Sequence, residues 1–263
     1  MADGPDSAPR DRGPKIAASS EVLPTVRLAR ALLSSILLSA AGGAAVAQDS
    51  PSLNGYVTLA NGYWNRGLSQ NDGLSVQLGI DYQQKAGWFV GAWAANVEYE
   101  VEKNWDKPRK IESEIYGGYH QRSGNWSWTA MVGRYFYPDT AVSYDWNELS
   151  GTVGYRDRIY YTAAYTDRYY GIWRSSLSQE LSFSQPLRGN FEIGGTLGHV
   201  EVANTPINYT HWNLGVSKVV RHVAIDLRYY ESGYDYIGFL GDPKHPEYVL
   251  SVSYALRGTK SRI

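Results

Sequence analysis

Eight ionisable residues of this chain fall on polar positions of runs in which apolar and polar side chains alternate. They are Asp81, Glu112, Glu114, Arg168, Glu180, Glu192, Asp226 and Arg228. Charges on one face of an alternating strand would line a narrow aqueous passage, where they attract or repel solutes, or would pair into a lattice that fills an interior. Both interpretations place these residues on the inward face of a sheet.

Catalytic and metal chemistry find little support among the remaining residues. The five histidines are His120, His199, His211, His222 and His245, which fall in separate segments, and the chain has no cysteine. A hydrolase would need a serine, a histidine base and a polar residue that orients the base, and no such motif is present. We therefore predict no enzyme activity, no catalytic residue, no cofactor and no metal site, with an outer-membrane hydrolase as the least favoured function.

The elements that would position the charged residues are β-strands. In residues 74–82, Leu74, Val76, Leu78, Ile80 and Tyr82 alternate with Ser, Gln, Gly and Asp, and residues 223–230 repeat the pattern. Such period-2 alternation indicates strands with one apolar and one polar face. It predicts twelve strands, at 53–65, 73–84, 87–99, 110–121, 125–137, 144–155, 158–170, 175–185, 190–200, 208–219, 221–231 and 246–257.

The predicted strands are long and their connections alternate in length. Most have about 10 to 13 residues, close to the roughly 9 to 11 that a tilted strand needs to cross a bilayer. Connections after the even-numbered strands are tight, whereas 99–110 and 231–246 are long. This pattern predicts an all-β fold, a transmembrane antiparallel up-and-down β-barrel. A soluble sandwich also alternates, but it would carry more Lys and Glu on its polar face.

The N-terminal segment predicts export. Residues 31–47 are apolar, follow Arg27 and Arg30, and end in Ala45-Val46-Ala47. This is typical of a secretory signal, so we expect residues 27–47 to be a signal peptide cleaved after Ala47. Residues 1–26 are then either a disordered leader or the product of a start site assigned too early, and residues 48–263 form the barrel.

Composition agrees with an exported membrane barrel. All 22 tyrosines and nine tryptophans follow residue 48, and such residues are enriched where a barrel meets both membrane interfaces. The net charge of −1 offers no electrostatic reason to expect nucleic acid as a partner. The expected partners are outer-membrane lipid, small hydrophilic solutes and the barrel-assembly machinery, at the bacterial outer membrane. The oligomeric state is left open.

Several segments resemble the TorF family, a group of proteins assigned as porins without a defined substrate. The similar stretches run in the same order over the whole chain after residue 48 and are YWNRGLSQ (63–70), Gln77, Tyr82, Gly91, WAANV (93–97), EIYGGY (114–119), YFYP (135–138) and WNLGVSK (212–218). The resemblance implies a passive porin of the outer membrane. A non-conducting barrel that acts through its outer loops is the alternative.

The first of these stretches contributes three further candidate residues. Arg66, Ser69 and Gln70 lie at the outer end of the first predicted strand. They would form a contact at the mouth of the barrel, or Gly67 would only allow a bend while Arg66 pairs with a neighbouring loop. In the third predicted strand both faces are apolar, so its inward side stays undetermined.

Overall fold

The barrel wall consists of twelve antiparallel strands within the part of the chain that the computed structural model describes, residues 51–99, 109–138, 143–233 and 247–256. Each strand pairs with its neighbours, and the first pairs with the last to close the ring. The strands are β1 (Ser52–Ala60), β4 (Ser75–Gln83), β5 (Trp88–Tyr99), β6 (Arg109–Ser123), β7 (Trp126–Phe136), β8 (Trp146–Tyr155), β9 (Ile159–Thr166), β10 (Ser176–Pro186), β11 (Phe191–Val202), β12 (Asn208–Val220), β13 (Val223–Ser232) and β14 (Glu247–Leu256).

Two shorter strands stand apart from the wall. β2 (Tyr63–Asn65) and β3 (Leu68–Asn71) pair only with each other in a separate two-stranded sheet. The described helical segments are two 3-10 turns, Tyr169–Gly171 and Arg188–Asn190. Among the described residues no helix has the length and apolar character needed to cross a membrane. The predicted leader, signal peptide and cleavage after Ala47 lie outside the described residues.

The two faces of the wall differ as the alternation predicts. In β4 the side chains of Val76, Leu78 and Ile80 are exposed on the outside, whereas Ser75 and Gln83 are buried inside. The same alternation continues in the other strands, so the barrel exposes a continuous belt of Leu, Ile, Val and aromatic residues. A soluble protein rarely exposes so large an apolar surface, and the belt fits the hydrocarbon core of a membrane.

The two ends of the barrel are distinct. The connections 84–87, 124–125, 156–158, 187–190 and 221–222 are short and lie at one end, here called the turn end, where β1 starts and β14 finishes. The strand ends that the longer connections join lie at the opposite end, the loop end. Outward aromatic pairs mark each end, such as Trp126 with Tyr155 at the turn end and Trp212 with Tyr229 toward the loop end. These rows correspond to interfacial girdles.

The structure corrects the end of the first predicted strand. β1 stops at Ala60 rather than at residue 65, because Asn61 takes over the hydrogen bonds of the β14 edge. Its Oδ1 accepts from the Leu250 N–H at 2.7 Å and its Nδ2 donates to the Tyr248 carbonyl at 3.2 Å. The chain is thereby released from the wall, and residues 63–71 fold inward.

The seventh predicted strand also ends early. β9 stops at Thr166, not at residue 170, because the Thr166 hydroxyl accepts from the Arg168 N–H and the chain then reverses. Tyr170 and Gly171 have φ of 46° and 82°, which no strand adopts. Arg168 was predicted on the inward face of a strand; it lies instead in the loop, with its guanidinium 4.1 Å from the centre of the Trp173 ring.

Candidate functional site

The segment Tyr63–Asn71 crosses the interior of the barrel, and we call it the lumen hairpin. It leaves the wall between β1 and β4 and reaches β8, which lies on the opposite side of the ring of strands. Apart from the half-buried Ser69, its residues are buried, and Gln70 has no exposed surface at all. The hairpin is therefore packed inside the barrel near the loop end.

A tight turn at Arg66 and Gly67 forms the tip of the hairpin. Both residues have positive φ, 46° and 77°, as two-residue hairpin turns of the mirror-image type require. A Cβ atom at position 67 would overlap the His211 side chain on β12. Glycine thus meets a conformational and a steric requirement at once, and the tip sits against the wall.

Arg66 ties the tip to the far wall. Its Nη1 and Nη2 donate to Oε2 and Oε1 of Glu148 at 2.6 and 2.8 Å, and the Glu148 side chain is fully buried. Burial lowers the pKa of the Arg66 guanidinium, but the Glu148 carboxylate, with a smaller contribution from Glu180, raises that pKa well above its usual range. The pair is a forked, charge-assisted contact shielded from solvent.

Further hydrogen bonds hold both sides of the hairpin. Trp64 Nε1 donates to Glu247 Oε2 at 2.8 Å, and the Tyr209 hydroxyl donates to the Arg66 carbonyl at 3.0 Å. Asn65 Nδ2 donates to the Tyr170 hydroxyl at 3.3 Å. The hairpin is consequently fixed to β12, β14 and the loop after β9, as well as to β8.

Aromatic side chains fill the space around the hairpin. Tyr63 belongs to one cluster with Trp93, Tyr135 and Trp146, and the last two rings stack at 4.0 Å. Leu68 belongs to a second cluster, with Tyr169, Tyr170, Val200, Val202, Ile207 and Tyr209. Large inward rings at the loop end thus leave little open cross-section beside the hairpin.

Four glutamates lie around the lumen hairpin, and we call this region the acidic chamber. Its members are Glu112 and Glu114 on β6, Glu148 on β8 and Glu180 on β10, all on the inward face. The Tyr137 hydroxyl donates to Glu112 at 3.1 Å, and His211 Nε2 lies 3.7 Å from Glu180. The chamber brings together three of the predicted lumen residues.

Four of the other predicted lumen charges lie nearer the turn end. Arg228 donates through Nη2 and Nε to the two carboxylate oxygens of Asp226, at 3.1 and 3.2 Å. It also donates through Nη1 to Asn213 Oδ1 at 2.7 Å. Asp81 accepts a hydrogen bond from the Tyr116 hydroxyl, and Glu192 is buried on β11. The structure therefore places seven of the eight predicted residues inward but divides them between two levels.

Hydroxyl pairs line the wall between these charges. Thr58 contacts Ser253 at 2.7 Å, and Ser182 contacts Thr196 at 2.9 Å. A cavity of about 40 Å³ lies beside the hairpin, lined partly by Trp64, where one water molecule would fit. The interior is polar in this half and suits water and hydrophilic solutes.

The mouth candidates occupy positions that differ from the prediction. Arg66, Ser69 and Gln70 are part of the lumen hairpin rather than the outer end of a wall strand, because the chain turns inward after residue 61. Glu148 was not among the predicted residues. The alternation of the sequence could have identified Glu148, because it lies on the opposite face of β8 from Leu149 and Val153, which face outward.

The described histidines are dispersed, as their spacing suggests. His120 contacts Thr129 at 2.9 Å on the inside, whereas His199 contacts Thr210 at 3.1 Å. The described residues contain no group of three or more His, Asp or Glu side chains arranged to hold a metal ion. In the third predicted strand, β5, Phe89 and Trp93 face inward, which settles the side that the sequence left open.

A family model extends over most of the chain. The model, described as a bacterial protein of unknown function (Gcw_chp), matches residues 44–250. The chain belongs to the Gcw_chp family. This match does not confirm the TorF resemblance, which stays a prediction. No curated protein matches the sequence.

Several solved structures are similar to this chain at low sequence identity. A protein from a study of the in-meso crystallization of membrane proteins matches with a TM-score of 0.52 and 9% identity, over 80% of this chain and 86% of that one. KdgM porin, in complex with disordered oligogalacturonate, gives a TM-score of 0.47 and 10% identity, over 77% and 98%. Acinetobacter baumannii Omp33, an outer membrane protein, gives 0.44 and 8%, over 80% and 99%. The first match shows the barrel fold, and none defines a solute.

Proposed function

We propose that this protein is a passive outer-membrane channel for small hydrophilic solutes, constricted by the lumen hairpin. The proposal rests on one observation: a closed barrel with an apolar outer belt encloses a polar interior, and a separate hairpin crosses that interior. The loop end would face the outside, because short turns are typical of the periplasmic side. Export by a signal peptide and insertion by the barrel-assembly machinery belong to the same proposal.

The hairpin sets the conduction path in this scheme. It is not hydrogen-bonded into the wall ladder, and it contacts the far side through the Arg66–Glu148 pair. A segment held by side chains can be displaced without opening the barrel, because the ladder of wall strands stays intact. The hairpin would therefore narrow the passage for solutes, or it would have to move before a solute could pass.

Single-channel conductance of the refolded protein in a planar bilayer tests this function. We expect discrete ohmic steps, a larger unit conductance in Arg66→Ala, and an altered ion selectivity in the double variant Asp226→Ala/Arg228→Ala. Arg122→Ala is the control, because Arg122 pairs with Asp157 at an exposed turn. Folding of each variant is checked by its heat-dependent mobility on a gel.

A non-conducting barrel is the second candidate, and the burial of the hairpin favours it. Gln70, Glu112 and Val200 are inaccessible to water, so the interior is densely filled at this level. Such a protein would act through its outer loops. If folded wild-type protein and Arg66→Ala both stay electrically silent, the channel function is rejected and this alternative is retained.

A further inference from the structure

The acidic chamber holds one guanidinium group in the folded protein, that of Arg66, which the chain itself supplies. The barrel wall supplies its carboxylates, through β6, β8 and β10, whereas the cation arrives on the separate lumen hairpin. Glu148 receives Arg66 in a fork of 2.6 and 2.8 Å, the geometry in which a carboxylate recognises a planar guanidinium. The recognising groups thus belong to the wall and do not depend on the backbone that carries Arg66.

The chamber has more acceptor capacity than Arg66 uses. Glu114 is 7% exposed, and its Oε1 has no hydrogen-bond partner among the described residues, although its carboxylate meets the Tyr135 hydroxyl. On the neighbouring strand β7, Gly133 makes room for this oxygen, because a Cβ atom at that position would lie only 2.5 Å from it. A buried acceptor that no protein group satisfies can accept a hydrogen bond from water or from a solute that enters the chamber.

Aromatic rings complete the chamber. Tyr135 and Trp146 stack at 4.0 Å, and Tyr63 packs edge-on against Trp93 at 5.6 Å. Ring faces attract cations, and guanidinium in particular stacks on them. An anionic solute would meet four glutamates in this region, so the chamber favours cations over anions.

We propose that the acidic chamber binds small solutes that carry a guanidinium group, which take the place of Arg66 when the hairpin moves. This inference rests on the proposed channel function and names its preferred solute class. The incoming guanidinium would neutralise Glu148 as Arg66 leaves. A neutral or anionic solute cannot do this, because it would leave the carboxylate buried and uncompensated.

Permeation by matched solutes tests the inference on the full protein. Osmotic swelling of liposomes that contain the wild-type protein is measured with arginine, with citrulline, which has a neutral urea group in place of the guanidinium, and with glutamate. We expect arginine to enter about fivefold faster than citrulline, the factor that one charge interaction at contact distance supplies in water. Glutamate should be the slowest.

Two size-conserving variants locate the effect. Glu114→Gln should lower the ratio of arginine to citrulline rates toward one. Glu201→Gln, which changes an exposed glutamate on the outward face of β11, should leave the ratio unchanged. A ratio of one in the wild-type protein, or an equal drop in both variants, overturns the guanidinium preference and leaves the channel function standing.

A binding measurement separates this inference from the channel function. In Arg66→Ala, guanidinium chloride should quench the fluorescence of Trp93 and Trp146 in a saturable way and should lower the raised conductance of this variant. Sodium chloride at equal ionic strength should do neither. Saturable quenching in a barrel that never conducts would support the site and reject the channel. Absence of quenching, with arginine and citrulline permeating equally, would reject the site.

Discussion

Removing the Arg66 guanidinium tests whether the buried ion pair with Glu148 holds the lumen hairpin in place. Arg66→Ala deletes both bonds of the fork and leaves the Glu148 side chain, which has no exposed surface, without its countercharge. Breaking a buried ion pair by removing one partner costs about 3–5 kcal/mol. We expect a loss of about 3 kcal/mol, the lower end of that range, because the hairpin can move out and admit water to Glu148.

Equilibrium unfolding by urea in phospholipid vesicles, followed by tryptophan fluorescence, measures this loss. Arg122→Ala is the matched control, because its partner Asp157 is exposed and such pairs contribute about 0–1 kcal/mol. The double variant Arg66→Ala/Glu148→Gln should be more stable than Arg66→Ala alone, since it carries no unpaired buried charge. That difference is the signature of a coupled pair.

The result that refutes this interpretation is specific. If Arg66→Ala unfolds within about 1 kcal/mol of the wild-type protein, as an exposed pair would, and conducts identically, then the pair does not hold the hairpin. Equal losses in Arg66→Ala and in Arg122→Ala would point to a general effect of lost positive charge instead.

Three further predictions concern the hairpin tip, the lumen charges and the outer wall. Gly67→Ala should destabilise the barrel and raise its conductance. Gly124→Ala should lower the unfolding free energy by only about 1 kcal/mol, the penalty of a positive φ, because no atom lies within 4 Å of its Cβ position. Unfolding experiments measure the stabilities, and bilayer recordings measure the conductances. Arg228→Ala should lower the unfolding free energy by about 3 kcal/mol, since it strands a buried carboxylate, and a loss below that of an exposed pair would contradict the assignment. Leu181→Arg, in the middle of the outer face of β10, should cost about 2–4 kcal/mol in vesicles, against about 0–1 for Leu187→Arg at the turn end, and equal costs would argue against a membrane around this wall.

The wall of the barrel was predictable from the sequence because its signal is local. Residues at i and i+2 share a face of a strand, so alternation alone assigned Asp81, Glu112 and Asp226 inward and correctly gave twelve strands. Most predicted strand ends agree with the structure within two or three residues. The short and long connections were also visible, because tight turns have a recognisable composition.

The same periodicity would have identified Glu148, since its neighbours in β8 alternate as clearly as those of Glu112. The ends of β1 and β9 were harder to predict from the sequence. Asn61 and Thr166 end these strands through side-chain hydrogen bonds, one of which joins residues 189 positions apart in the chain. A local pattern carries no information about such a partner.

The lumen hairpin was decided by tertiary structure alone. The segment YWNRGLSQ was recognisable as distinctive, but its inward fold depends on Glu148, which is 82 positions away, and on Tyr209, which is 143 positions away. Periodicity determines which face a side chain takes on its own strand. The register of the closed ring then determines which side chains meet across the interior, and these contacts placed Arg66 in the acidic chamber.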